Sequence, residues 1–257
     1  GDTPSLSVSA ASATEGDDEI FTVSLSNPST QDVSFDLTTG TGTASATDYD
    51  AANMQISTDG GMTWTSATSA TIAAGTTSVQ VKVPTVQDNI DENAEDFTLT
   101  ATVTAGDTSN TSSTGTGTIN DDDSAPSISI DDQTVNEDAG TITFTVSLSN
   151  PSASEVKVDY AAKDDTATVG TDVTAGSSAL SDTLTFAPGE TSKTITLNVT
   201  DDDIYEISEQ FTIDLSNPSN ATIADAQGVG TINDENSQTG DTPSLSVSAA
   251  SATEGDD

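Results

Sequence analysis

The sequence contains no cysteine and no histidine, and its few basic residues are all lysine, with no arginine. These absences exclude thiol nucleophiles, disulfides, histidine-based triads and nearly every zinc or copper site. A bound metal would have to be held by oxygen, which selects a hard cation such as calcium. The four lysines (Lys82, Lys157, Lys163 and Lys193) stand against 43 acidic residues, for a formal net charge of -39. So acidic a chain has no footprint for nucleic-acid phosphates and is repelled by an anionic membrane surface. No apolar run approaches the ~20 residues of a membrane-spanning helix, so direct membrane insertion is not expected. No basic-then-apolar leader opens the sequence, which reads as the interior of a longer protein or as an already processed chain.

Composition alone points toward disorder. Leu, Ile, Val and Phe together supply under a fifth of the residues, and aromatics only 4%. Threonine is abundant, however, and its β-branched side chain suits a pleated surface. The apolar residues also alternate with polar ones, a pattern with no purpose in a disordered chain. The expectation is a folded, β-rich protein with thin cores.

Repeats set the organisation. Residues 1–18 recur unchanged at 240–257, a period of 239 residues. Within it, Phe21–Ser29 and Phe144–Ser152 share FTVSLSNPS, and Gly117–Asp121 and Gly230–Asp234 share GTIND. Two homologous units follow, 1–123 and 124–239, with 240–257 as the incomplete start of a third. Its residues 244–257 carry a first strand without a partner sheet, and are expected to be disordered or to borrow an edge from another copy. Each unit has the size of a seven-strand sandwich.

Period-two stretches bounded by Gly, Pro, Asn and Asp predict strands at Ser5–Ser9, Ile20–Ser26, Val33–Thr38, Met54–Thr58, Ser78–Val86, Phe97–Thr104 and Gly115–Ile119. In the second unit they predict Ser127–Ile130, Ile142–Ser149, Val156–Ala161, Leu184–Phe186, Lys193–Thr200, Phe211–Leu215 and Gly228–Ile232. The fold class is therefore all-β: tandem Ig-like Greek-key antiparallel β-sandwiches, about seven strands each.

The acids cluster at strand ends. In the second unit they gather at Glu137, Asp172, the run Asp201 to Glu209, and Asp234-Glu235. In a sandwich, alternate strand ends share one pole, so these loops can converge. Two carboxylates ~5 Å apart repel by about 3 kcal/mol at an effective dielectric near 20. There are too few lysines to offset eight or nine of them, whereas several calcium ions sharing carboxylates can. The alternative is a solvated acidic surface of the kind seen in salt-adapted proteins.

These residues carry a resemblance. A Glu precedes FTVSLSNPS, and Gly42-Thr43-Ala44 leads to Asp48-Tyr49. An Asp-rich stretch then runs into Glu95-Asp96-Phe97 or Glu209-Gln210-Phe211, and GTIND closes the unit. Both units resemble the Calx-β domain, named from sodium–calcium exchangers and frequent in giant repetitive bacterial surface proteins. In the first unit the resemblance implies calcium ligands at Glu15, Asp48, Asp88, the Ile90 carbonyl, Glu92, Glu95, Asp121, Asp122 and Asp123. In the second it implies Glu137, Asp172, Asp201, Asp202, the Ile204 carbonyl, Glu206, Glu209, Asp234 and Glu235. Several ions per domain are implied. The first unit departs at Gln87 and Asn89, opposite Asp201 and Asp203, and the second at Asn236, opposite Asp123.

Ser57–Trp64 matches the S-x-D-x-G-x-T-W Asp-box familiar from sialidase propellers. It also reads as a hairpin turn in which Asp59 accepts backbone N–H groups and the glycines take positive φ.

The functional expectation is a non-enzymatic, monomeric calcium-binding extender of a bacterial cell-surface adhesin, located outside the cell. Its immediate partners are the neighbouring repeats, and calcium locks the linkers Asp121–Pro126 and Asn233–Pro243 so that an adhesive tip is projected. Alternatives are a glycan- or cell-binding module, which an exposed aromatic platform beside Trp64, with Tyr49 nearby, would favour, an intracellular calcium sensor, and a glycosidase using paired acids.

Overall fold

A computed structural model describes residues 2–202, 207–234 and 244–251. The chain divides into two compact units between Ser124 and Ala125.

The first unit opens with β1 (Leu6–Val8), β2 (Ala11–Thr14), β3 (Asp18–Leu25) and β4 (Val33–Thr41). It continues through β5 (Gln55–Ser57), β6 (Thr65–Ser66), β7 (Ser69–Ile72), β8 (Ser78–Pro84), β9 (Glu95–Ala105) and β10 (Ser112–Asn120). They form two facing sheets, ordered β1-β3-β8-β5-β6 and β2-β10-β9-β4-β7. Pairing is antiparallel except where β2 runs parallel to β10. The first strand is thus split: β1 hydrogen-bonds in one sheet and β2 in the other.

The second unit contains β11 (Ser127–Ile130), β12 (Gln133–Asn136), β13 (Thr141–Leu148), β14 (Val156–Asp164) and β15 (Val173–Ala175). Then come β16 (Ser181–Phe186), β17 (Ser192–Val199), β18 (Glu209–Ser219), β19 (Thr222–Ile223) and β20 (Gln227–Asn233). Its sheets are ordered β15-β17-β13-β11-β19 and β12-β20-β18-β14-β16, with β12 parallel to β20. The all-β, Ig-like sandwich expected from the alternation is the observed fold. The only helical turns among the described residues are single 3₁₀ turns at Ala51–Asn53 and Glu137–Ala139.

Among the described residues each unit has ten strand segments rather than about seven. The unforeseen ones are the split second halves β2 and β12, and the short segments β6, β7, β15 and β19. Segments of two to four residues are too short for alternation to register.

The alternation resolves into cores. In β3, Phe21, Val23 and Leu25 point inward, and in β13, Ile142, Phe144, Val146 and Leu148 do so. An edge-to-face aromatic pair sits at the same place in both units: Phe21–Phe97 and Phe144–Phe211, each with centroids 5.8 Å apart. The glycine of the GTIND motif is required there. A Cβ on Gly230 would lie 2.4 Å from the Phe211 ring.

The Asp-box is a hairpin turn between β5 and β6. Asp59 Oδ1 accepts the N–H groups of Met62 (3.0 Å) and Thr63 (2.9 Å) and the Ser57 hydroxyl, and Oδ2 accepts the Thr63 hydroxyl. Gly60 and Gly61 take φ of 77° and 89°. These hydrogen bonds, led by that from the Thr63 hydroxyl, pull the Asp59 carboxyl down to about 2. The aromatic platform does not form. Tyr49 is buried and stacked on Phe97 at 4.3 Å, and the Lys82 ammonium lies 4.9 Å over the half-buried Trp64 ring. Tyr49 belongs to the core because it follows Asp48 into the sandwich, where Phe97 offers a parallel face.

The repeated N-terminal sequence occurs in two environments. Leu6 and Val8 are 3% and 9% exposed in β1, whereas the identical Leu245 and Val247 are 96% and 90% exposed and carry no strand. Residues 240–243 and 252–257 lie outside the described residues.

Candidate metal centre

Strand register builds the pole of each unit. Parallel pairing sets Thr14 beside Asn120, so Glu15 and Asp121 leave adjacent strands together. Antiparallel pairing sets Ile119 beside Glu95. The Asp48 carbonyl accepts the Val86 N–H at 2.9 Å, which draws the Asp48 loop onto the end of β8. Glu15, Asp48, Asp88, Glu92, Glu95 and Asp121 consequently line one cavity of about 10 Å³. Asp122 and Asp123 cluster with Glu15, their ligating oxygens within 4.8 Å of one another. Ile90 is not a lining residue. Its N–H donates to Asp88 Oδ1 at 2.8 Å and shapes the loop.

The second unit repeats this construction. Asn136 pairs with Asn233 and Glu209 with Ile232. The Thr200 N–H donates to the Asp172 carbonyl at 2.9 Å. Glu137, Asp172, Asp202, Glu209 and Asp234 line a cavity of about 30 Å³. Asp201 follows β17 without lining it, and Ile204, Glu206 and Glu235 lie outside the described residues. Cavities this small admit a water or an ion, and are far below the several hundred Å³ of an organic ligand site.

The electrostatics are those of crowded acids. Glu15 and Glu137, 7% and 5% exposed, form the inner wall of the two poles. Burial pushes the Glu15 carboxyl up to about 7, with Asp88, Asp121 and Asp123 adding repulsion. Burial also raises Glu95 to about 7, helped by its hydrogen bond and charge repulsion with Asp48. Burial first, then neighbouring acids, raises Glu92, Asp123 and Glu209. At Asp48 burial works upward but is outweighed by the Ser45 N–H at 2.5 Å and further hydrogen bonds, so this carboxyl stays low. All four lysines pair with carboxylates outside these sets: Asp18, Glu155, Asp214 and Glu190.

The donor set suits a hard cation. It is all oxygen, and it leaves Asp123 Oδ2 and Asp234 Oδ1 buried with no hydrogen-bond partner, one at each pole. A buried carboxylate oxygen without a donor is costly unless a positive charge satisfies it. Two features of this region escape sequence reasoning. The Gln87 amide bridges Glu15 and Asp122, and its position opposite Asp201 was the available signal. Glu19 is wholly buried within the sandwich: it falls on the inward-facing alternation of β3, but a carboxylate there breaks the apolar pattern.

Comparison with known proteins finds related sequences and structures. The family model of the Calx-beta domain matches residues 2–123 and again 120–238. Sodium/calcium exchanger 1 of Canis lupus familiaris is 35% identical over 96 residues, 36% of this chain and 9% of the exchanger. The exchanger of Bos taurus matches to the same extent. The chain therefore spans about a tenth of the length of these relatives. Among solved structures, the apo-form Calx CBD1 domain is 28% identical, with 42% of this chain and 98% of that one covered and a TM-score of 0.38. CBD12 from CALX1.2 is 17% identical, with 89% and 99% covered and a TM-score of 0.38. With a family model matched twice over nearly its whole length, the chain belongs to the Calx-beta domain family and carries two such domains in tandem.

Proposed function

We propose that the two acidic poles hold calcium, and that the tandem domains serve as an extender of an extracellular bacterial surface protein. The observation that carries the calcium reading is the pair of orphaned carboxylate oxygens, Asp123 Oδ2 and Asp234 Oδ1, at matching poles. In the first unit the ions are held among Glu15, Asp48, Asp88, Glu92, Glu95 and Asp121 to Asp123. In the second they are held by Glu137, Asp172, Asp201, Asp202, Glu209 and Asp234, with Ile204, Glu206 and Glu235 as further ligands by family resemblance. Calcium supplies positive charge that the chain lacks, and each site filled at ~100-fold over its dissociation constant adds about 2.7 kcal/mol. The extender role is supported by the unchanged recurrence of residues 1–18 at 240–257, the sequence sign of a tandem array. Neighbouring repeats are then the immediate partners. Calcium beside the segments joining them restrains the chain, and the adhesive ligand belongs to another part of the protein.

The second reading is a calcium-sensing regulatory module, favoured by the 35% identity to sodium/calcium exchanger 1. Affinity separates the two. Titration calorimetry giving dissociation constants near 10⁻⁴–10⁻³ M supports an extracellular extender, and values of 10⁻⁷–10⁻⁵ M support a sensor. A glycan-binding module loses its main support with Tyr49 inside the core.

A further inference from the structure

We propose that the Gln87 carboxamide plugs a cation position in the first unit, tying its pole together without an ion. This rests on the calcium reading above.

The geometry around the amide is the starting point. Gln87 Nε2 donates to Glu15 Oε1 at 2.7 Å and to Asp122 Oδ1 at 3.0 Å, and it lies 3.2 Å from the Asp88 carbonyl oxygen. An amide nitrogen has only two hydrogens, so it cannot fully satisfy three acceptors. Two carboxylates and a backbone carbonyl aimed at one point form the donor set of a hard cation. The same Glu15 and Asp122 group with Asp123, whose Oδ2 is buried and unpartnered. The amide thus stands at the focus of the cluster while leaving part of it unsatisfied. It offers partial positive charge where a divalent ion would offer two units.

The second unit has an aspartate, Asp201, where the first has this amide. The Asp202 N–H donates to Glu137 Oε1 at 3.0 Å, as the Asp88 N–H does to Glu15 Oε1 at 3.4 Å. The two segments therefore run in the same register past the buried glutamate, and Asp201 takes the place of Gln87. A donor in one unit is an acceptor in the other. An ionised Asp201 cannot donate a hydrogen bond to a carboxylate, so it cannot bridge two of them as the Gln87 amide does. The rest of the first pole, with Asp48, Glu92, Glu95 and Asp121, keeps its own capacity for calcium.

The test is the number of calcium ions bound per chain, counted by native mass spectrometry and calorimetry on the full chain. It is joined by thermal unfolding followed at Trp64, the only tryptophan, which lies in the first unit. Gln87→Asp should add one calcium per chain, and Asp201→Gln should remove one. In chelator, Gln87→Asp should lower the unfolding temperature read at Trp64, and calcium should restore or exceed the wild-type value. A wild-type chain that binds calcium, with both variants folded and their ion counts unchanged, overturns the proposal and leaves the calcium reading standing. A wild-type chain that binds no calcium removes the calcium reading itself.

Discussion

Glu19 occupies the place that Ile142 holds in the second unit, two residues before the core phenylalanine of each. Its side chain is fully buried, Oε1 accepts the Thr118 N–H at 2.7 Å, and Oε2 has no partner. Burial raises its carboxyl above the ordinary value, against the pull of the Thr118 N–H. A folded-state value above the unfolded one means that its stabilising contribution is present in acid and lost as pH rises through the folded value. Glu19→Ile should therefore stabilise the first unit at neutral pH, by about 1–3 kcal/mol in chemical denaturation followed at Trp64. A destabilised variant would mean that the Thr118 hydrogen bond outweighs the buried charge. Glu15 and Glu95 act in the same direction from about 7. Without calcium, the unfolding temperature read at Trp64 should fall between about pH 5 and pH 8. Calcium should abolish that fall, because binding requires and favours the ionised carboxylates. A calcium-free profile that rises with pH would contradict the assigned environments.

At the scale of elements, the Asp-box hairpin is a self-contained device. Asp59 holds the turn through bonds that do not involve the acidic pole. Asp59→Ala should remove amide-exchange protection at Met62 and Thr63 while leaving the calcium response intact. Loss of the calcium response would tie the hairpin to the pole. The longer strands are legible in the sequence because inward side chains recur with period two, as in Phe21, Val23 and Leu25. Ala11–Thr14 is not legible, since its role as a parallel partner of β10 depends on a strand about a hundred residues away. The acids at strand ends are legible as a pole because topology sends those ends to one place. The amide bridge of Gln87 is not, because residue type alone does not show which acceptors a flexible side chain reaches. The burial of Tyr49 is not legible either, because its stacking on Phe97 follows from packing across the sandwich.

At the scale of the whole molecule, a net charge of -39 has to be reconciled with two thin cores. Self-repulsion disfavours the compact state, and four lysines relieve little of it. In the proposed reading calcium at both poles supplies the missing positive charge, so both units should respond to it. The most direct measurement is thermal unfolding of the chain by calorimetry, in chelator and in a few millimolar calcium, with equal magnesium as control. The expected result is a rise of many degrees with calcium, visible both in the transition read at Trp64 and in the remaining heat absorption, and little effect of magnesium. Unfolding unchanged by calcium, or raised equally by magnesium through general screening, would return the acidic poles to the role of a solvated surface and contradict the account.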